Sequence, residues 1–383
     1  MRIAYCTNVR LPSERAHGHQ VARVCDALAG MGHEVVILAP YRRNPITSDF
    51  WSFHGADRRV RLTHIGYVDP IDHPLLPKIA QLPILNGQLR MTLPHAVRAG
   101  RFDLLYTRSP ALLGSLLTCG HPTILELHAL PQWNRQRFVR QCNRCTLVVC
   151  LTSAMRDELA AWGVDARRIV VEPDAVDLAA FTQTPHAPSP ELEKVAIESG
   201  TPVIGYAGQL ESMGLSKGIP ELLDALELLR RKGAKFHTLI AGPQPKNDAL
   251  TARLTFAAHC TYLGFLPHDR IPALLAMCSI LVYPAPKSDH SFYVRDTSPL
   301  KIFEYMAAGK PIVTADLPPI RDVLDESMAS FCKPGDPDDL ARAIGDVLRH
   351  PDEARARAEK ARKAVERYTW GKRMARILAA LPQ

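Results

Sequence analysis

Two carboxylates separated by seven residues, Asp296 and Glu304, sit in the stretch RDTSPLKIFEYMAAGKPIV, residues 295–313. They flank a strongly signalled helix start. Ser298 is a good N-cap, Pro299 suits the first helical position, Gly309 suits the residue after the last turn, and Pro311 stops the helix before a β-branched run. The amides of Leu300 and Lys301 are then free donors at the positive end of the helix dipole, which makes an anion site. Asp296 lies just ahead of that site, and Glu304 lies roughly 8 to 9 Å further along the axis at about 1.5 Å per residue. A phosphate repels carboxylates, so at this spacing they would read hydroxyls on either side of it. A phosphate between two hydroxyl-bearing groups is the outline of a sugar nucleotide. Capped helices with an exposed acid are also common on protein surfaces, so spacing alone leaves the functional and the structural readings level.

The same stretch resembles the E-x7-E signature of retaining glycosyltransferases of family 4, with Asp296 in the first acidic position and Glu304 in the second; the likeness continues through EYMAAGKPIV. It implies the GT-B fold, two Rossmann-like α/β domains facing across a cleft. The implied reaction moves a sugar from a UDP-, GDP- or ADP-sugar to an acceptor, with retention and with neither a metal nor another cofactor. A sugar-nucleotide epimerase on the same fold and a non-catalytic sugar-nucleotide-binding subunit stay open as rivals.

By this resemblance Asp296 and the adjoining amides hold the donor sugar, the amides of Ser298, Pro299, Leu300 and Lys301 frame the diphosphate, and Glu304 holds the ribose. Pro299 itself contributes position and no N–H. A second part of the resemblance begins at strand PVIGYAG, 202–208, and the turn QLESMGLSKG that precedes a helix at 219–232. In the family an Arg after the glycine and a Lys before the helix clasp the diphosphate. Here Gly208 and Lys217 match, while Gln209 stands in the Arg position; Lys301, Arg295 or an Arg of the first domain are candidates for the missing charge. The backbone around Phe265 and Leu266 is placed by resemblance near the base. No phosphate-binding G-x-x-x-x-G-K-[ST] loop occurs.

The elements that position these residues follow from periodicity. Strand 2–6, a helix at 18–31 and strand 34–39 make a β-α-β opening, with further strands at 60–65, 103–107, 122–127, 146–151 and 168–171. Such alternation implies a mainly parallel, doubly wound sheet. The loop TNVRLPSERAHGH after the first strand is long and polar and lacks G-x-G-x-x-G; it offers Ser13, His17 and His19 as candidates, and by resemblance Gly18 lets the helix approach the donor phosphates or the acceptor. His128 follows strand PTILEL, where ligands bind at strand ends, and resemblance assigns it to the donor sugar; Glu126 is its partner or simply an inward polar residue. The segment from Tyr67 to Pro94 reads as an irregular excursion, a lid or an apolar acceptor surface, with no clean period in its leucines.

Across 383 residues, 46% hydrophobic and 22% charged, composition fits a globular enzyme of two domains. The domains are expected at 1–180 and 195–367, with a proline-rich linker from 182 to 193; YTWGKRMARIL resembles the family's final helix, which implies that a helix at 369–381 packs back on the first domain. No apolar run is long enough to span a membrane, and MRIAYCTNVR reads as a strand rather than a signal segment, so a cytoplasmic location is expected. The nine cysteines read as reduced core thiols; Cys142 and Cys145 make a single CxxC with no second pair or His at zinc-like spacing, which leaves a metal or redox site there as the minor alternative. Most of the net charge of +8 falls in the first 180 residues, and Arg137, Arg140 and Arg144 share one face of a basic helix at 134–145. That surface suits an anionic or lipid-linked acceptor, or peripheral contact with the inner membrane face, against the alternative of a solvated helix. Nothing in the chain points to nucleic acid.

Overall fold

The structure is a computed structural model and describes residues 1–182, 190–193, 195–212, 214–245, 247–256 and 259–382. Most of the expected linker, 182–193, therefore lies outside the described residues, as does Met213 in the turn before Lys217. The chain forms two compact units, Met1–Pro173 with Trp370–Gln383, and Asp174–Thr369.

In the first unit seven short segments, mostly apolar except for the exposed edge β3, become strands: β1 (Arg2–Cys6), β2 (Glu34–Pro40), β3 (Arg61–Ile65), β4 (Leu104–Thr107), β5 (Thr123–Leu127), β6 (Leu147–Cys150) and β7 (Ile169–Val171). They pair in parallel in the order β3-β2-β1-β4-β5-β6-β7. Continuous apolar runs suit a sheet covered on both faces, and β4, β5 and β6 are buried throughout. The segment from Tyr67 to Pro94 departs from the sequence reading. A helix spans Lys78–Gly100 with Pro83 and Pro94 inside it, and Leu85, Leu89, Leu93 and Val97 are buried at every fourth position. That stripe packs against β2 and β4. Its burial outweighs the backbone hydrogen bonds that the prolines remove.

The helix Trp370–Ala379 belongs to this unit and buries Trp370, Arg373, Met374 and Ile377, the i, i+3, i+4, i+7 face of an amphipathic helix, against helix Ala16–Gly30. Its Arg376 holds the Glu172 carboxylate with two bonds of 2.7 Å. Cys142 and Cys145 are buried thiols, and burial pushes both upward.

The second unit repeats the plan with β8 (Val203–Ala207), β11 (His237–Ala241), β12 (Cys260–Gly264), β13 (Ile280–Tyr283), β14 (Ile312–Ala315) and β15 (Ser330–Cys332), after which β9 (Glu211–Ser212) and β10 (Leu215–Ser216) remain as a small antiparallel hairpin. The main sheet is parallel, in the order β12-β11-β8-β13-β14-β15. Helix Ile219–Arg231 buries Ile219, Leu222, Leu223, Leu226 and Leu229 against it, the face that the sequence pattern defines. No helix among the described residues is long and apolar enough to cross a membrane.

Candidate functional site

In a parallel sheet, ligands collect beyond the carboxyl ends of the strands where the strand order reverses. In the second unit that point lies between β8 and β13. The turn from Gly208 to Gly218 leaves β8 carrying Lys217, and the segment leaving β13 leads to helix Leu300–Ala308. The two meet because Gly218 has φ +79° and no side chain: a Cβ there would lie 2.6 Å from the Ala285 amide nitrogen. Gly218→Ala is therefore expected to destabilise the protein by about 1–3 kcal/mol, with a matching drop in the urea midpoint. An unchanged midpoint would mean that this turn does not rest on Ala285.

Between these loops stand two lysines on aromatic supports. Lys217 Nζ lies 3.6 Å from the Phe292 ring centroid and 5.8 Å from that of Tyr293. The Tyr293 hydroxyl in turn donates to the Ser216 carbonyl, which fixes the aromatic segment to the Lys217 turn. Lys301 Nζ donates to the Tyr206 hydroxyl at 2.6 Å and lies 4.1 Å from the Tyr206 ring centroid. It rests beside Gly208, whose missing Cβ would stand 2.7 Å from Nζ. Burial lowers Lys217 from 10.5 to about 8. Burial, together with repulsion from Lys217, lowers Lys301 to about 7. Among the described residues no carboxylate forms an ion pair with either lysine. The pair is thus a half-buried cationic seat with no carboxylate in direct contact among the described residues, Glu304 acting on Lys301 only from a distance.

Around this seat the expected residues behave unequally. Helix Leu300–Ala308 opens with the amides of Leu300 and Lys301, and Gly309 closes it at φ 64°. Ser298 is not its cap: Pro299 holds the N-cap position without a side-chain bond, and the Ser298 hydroxyl accepts the Asp174 amide at 2.9 Å instead. Asp296, 6% exposed, is gripped by Arg295 through Nε at 2.6 Å and Nη2 at 3.1 Å. A π-helical turn, Phe292–Asp296, contains both residues. Glu304 sits 2.9 Å from His268 Nε2. Leu266 packs into the core with Ile302 and Phe303, whereas Phe265 is exposed. Gln209 is exposed, and its carbonyl accepts the Tyr206 hydroxyl, so Lys301 rather than Gln209 supplies the cation beside Gly208.

In the first unit the strand order reverses between β1 and β4, so the polar loop after β1, Arg108 after β4 and His128 after β5 leave the same edge of the sheet. His128 Nε2 is 2.6 Å from Glu126 Oε1. Glu126 is buried and also accepts the Tyr106 hydroxyl and Arg373 Nη1, the latter at 3.0 Å. Burial, then the charge of Arg108, lowers His128 from 6.5 to about 4, and the ring is neutral near pH 7. His17 is lowered to about 4 by the same two causes. Gly18 falls inside the first turn of helix Ala16–Gly30 and packs on Ser13, which a Cβ would approach to 2.8 Å; Ser13 is buried, with its amide donating to His54 Nε2 at 3.3 Å. His19 lies on the same helix. Arg137, Arg140 and Arg144 are exposed along or just beyond helix Arg135–Cys142.

Sequence reasoning missed His268, Tyr206, Arg108 and Arg373. The aromatic pair Phe292 and Tyr293, just ahead of the acidic stretch, was the one available signal for a cation platform. The others come from separate elements, Tyr206 from β8, Arg108 from just beyond β4, His268 from the turn His268–Arg270 and Arg373 from the last helix, and carry no spacing.

Residues 190–364 match the family model "Glycosyl transferases group 1", and residues 18–180 match "Glycosyltransferase Family 4". The 2-deoxystreptamine glucosyltransferase of Streptomyces kanamyceticus is 28% identical over 218 residues, which cover 54% of this chain and 52% of that protein. The match thus spans about half of that relative's length. The phosphatidyl-myo-inositol mannosyltransferase of Mycolicibacterium smegmatis is 26% identical over 363 residues, 94% of this chain and 87% of that one. Among solved structures, a glycosyltransferase from Rickettsia africae ESF-5 superposes with a TM-score of 0.74 at 16% identity, covering 99% of this chain and 97% of its own. Anabaena Alr3699/HepE in complex with UDP-glucose gives 0.69 at 18% identity and covers all of both chains. The shared architecture is the GT-B fold, two parallel-sheet α/β domains.

Proposed function

We propose that this chain, which belongs to the family-4 type of glycosyltransferases, moves a hexose from a nucleotide diphosphate sugar to an acceptor hydroxyl with retention at the anomeric carbon. The observation that carries this reading is the pair Lys217 and Lys301, two half-buried lysines that form no ion pair with a carboxylate among the described residues, at the strand-order reversal of the second unit and beside the opening amides of helix Leu300–Ala308. As the glycosidic bond breaks, negative charge grows on the leaving diphosphate. A cationic seat already partly stripped of water stabilises that charge more than it stabilises the ground state. Glu304, steadied by His268, is the acceptor for ribose hydroxyls. Asp296 reaches the sugar only where a hydroxyl shares or replaces its bonds to Arg295, so Arg295 joins it in that role. His128, neutral and fixed by Glu126, is the first unit's contact to the sugar.

A UDP-sugar is the first donor to test, since a structural neighbour is described in complex with UDP-glucose. The exposed Arg137, Arg140 and Arg144 favour an anionic or lipid-linked acceptor. Thermal shift with UDP-, GDP- and ADP-sugars should single out one base, followed by sugar transfer or slow donor hydrolysis with it. Donor binding without turnover toward any acceptor would favour a binding subunit instead. Isomerised donor would favour an epimerase.

A further inference from the structure

Arg373 is wholly buried, on a helix 247 residues away in sequence from the carboxylate it meets. Its Nη1 donates to Glu126 Oε2 at 3.0 Å, its Nε to the Pro173 carbonyl at 2.7 Å and its Nη2 to the Glu172 carbonyl at 3.2 Å. The two carbonyls fix the guanidinium, and the guanidinium fixes Glu126. The other Glu126 oxygen, Oε1, meets His128 Nε2 at 2.6 Å. An ionised carboxylate only accepts hydrogen bonds, so Nε2 carries the proton of a neutral ring and Nδ1 is left as an acceptor.

We propose that Arg373 is a positioning residue for sugar transfer: by holding Glu126 as an anion in one orientation, it locks His128 in the Nε2–H tautomer and leaves Nδ1 free to accept a hydroxyl of the donor sugar. The inference rests on the reading of His128 as a donor contact. It gives the C-terminal helix a part in the chemistry of the first unit beyond closing its core.

The consequence of losing Arg373 follows from the groups around His128. Glu126 faces it from β5, Arg108 from the end of β4 and Arg373 from the C-terminal helix, while Tyr5 of β1 and Tyr106 of β4 lie beneath Glu126. Without Arg373 the buried Glu126 carboxylate keeps Arg108 as its remaining fixed cation, and the adjacent group able to gain a positive charge is His128. The ring then takes a second proton on Nδ1, which turns from acceptor into donor.

The test uses the full chain labelled with 15N-histidine. In the wild type the His128 signal should remain that of a neutral Nε2–H ring from about pH 5.5 to 8. In Arg373→Met its midpoint should rise from the wild-type value, because Arg373 no longer repels the protonated ring, and the pH at which transfer falls on acidification should rise with it. Arg373→Lys keeps the charge without the fork and should give an intermediate midpoint with partial rescue. A purely structural role predicts a uniform loss at all pH with the His128 titration unmoved, and that result in Arg373→Met, or in Arg373→Lys if the methionine variant does not fold, would overturn the proposal. The nitrogen signals need no turnover, so a wild-type chain inactive on every donor would remove the sugar-contact reading of His128 while the tautomer lock is still decided by the spectra.

Discussion

Replacing Lys217 by alanine is expected to lower kcat/KM for the nucleotide sugar at least tenfold, about 1.4 kcal/mol, while the thermal transition stays near that of the wild type. The ammonium lies 3.6 Å from the Phe292 ring and makes no ion pair among the described residues, so its removal breaks no carboxylate partnership in the free protein. It even relieves a burial cost, the one that holds its pKa near 8. The loss should therefore appear when the diphosphate arrives. If charge on the leaving group is the main recipient, kcat and kcat/KM fall together; if ground-state binding is, KM alone rises. Lys217→Arg restores the charge but brings a planar fork to a seat shaped by an aromatic face, so it should recover only part of the rate. Kinetics unchanged in Lys217→Ala would remove this lysine from the donor site and leave Lys301 as the sole cation there.

How far the sequence reveals such a seat depends on the range of the interactions that build it. The central strands of both sheets are legible because they are short apolar runs between polar breaks, as in TILEL and LVVC. Gly309 is legible as a helix end because the left-handed conformation there, φ 64°, favours glycine. Lys217 and Glu304 are singled out in the sequence by a spacing that resemblance interprets, and the proposed donor site is built on them. The helix Lys78–Gly100 is not, since Pro83 and Pro94 argue for breaks and only tertiary burial of Leu85, Leu89, Leu93 and Val97 overrides them. The Ser298 cap fails for a related reason: its hydroxyl is claimed by the Asp174 amide, 124 residues away in sequence. Neighbours such as Arg295 and Asp296 would point apart in an α-helix, and here the π-helical turn that contains them accompanies their ion pair. Arg373 carries no signal of its own in the sequence, since its partner Glu126 lies 247 residues away.

Donor binding near pH 8 should take up protons. In the free protein Lys301, at about 7, is then mostly neutral and Lys217, at about 8, is half charged. A diphosphate between them favours the charged form of both. Calorimetry in buffers of different ionisation enthalpy should thus report an uptake of between about one and one and a half protons at pH 8, falling toward zero below pH 6. The sign is set by the free state: the lysines are charged below their lowered pKa values, so affinity is greatest below about 7 and weakens as pH rises through 8. The stability of the free protein should run the other way. Between pH 7 and 10.5 the unfolded chain binds more protons at these two lysines than the folded one, so their contribution grows with pH across that window. Saturating donor should flatten or reverse this trend. Lys301→Met should reduce the uptake at pH 8 to about half a proton, the share left to Lys217, and weaken donor binding at least tenfold, about 1.4 kcal/mol. Heats that do not depend on the buffer would mean that neither lysine meets the phosphates, and the anion would then have to rest on the amides of Leu300 and Lys301 alone.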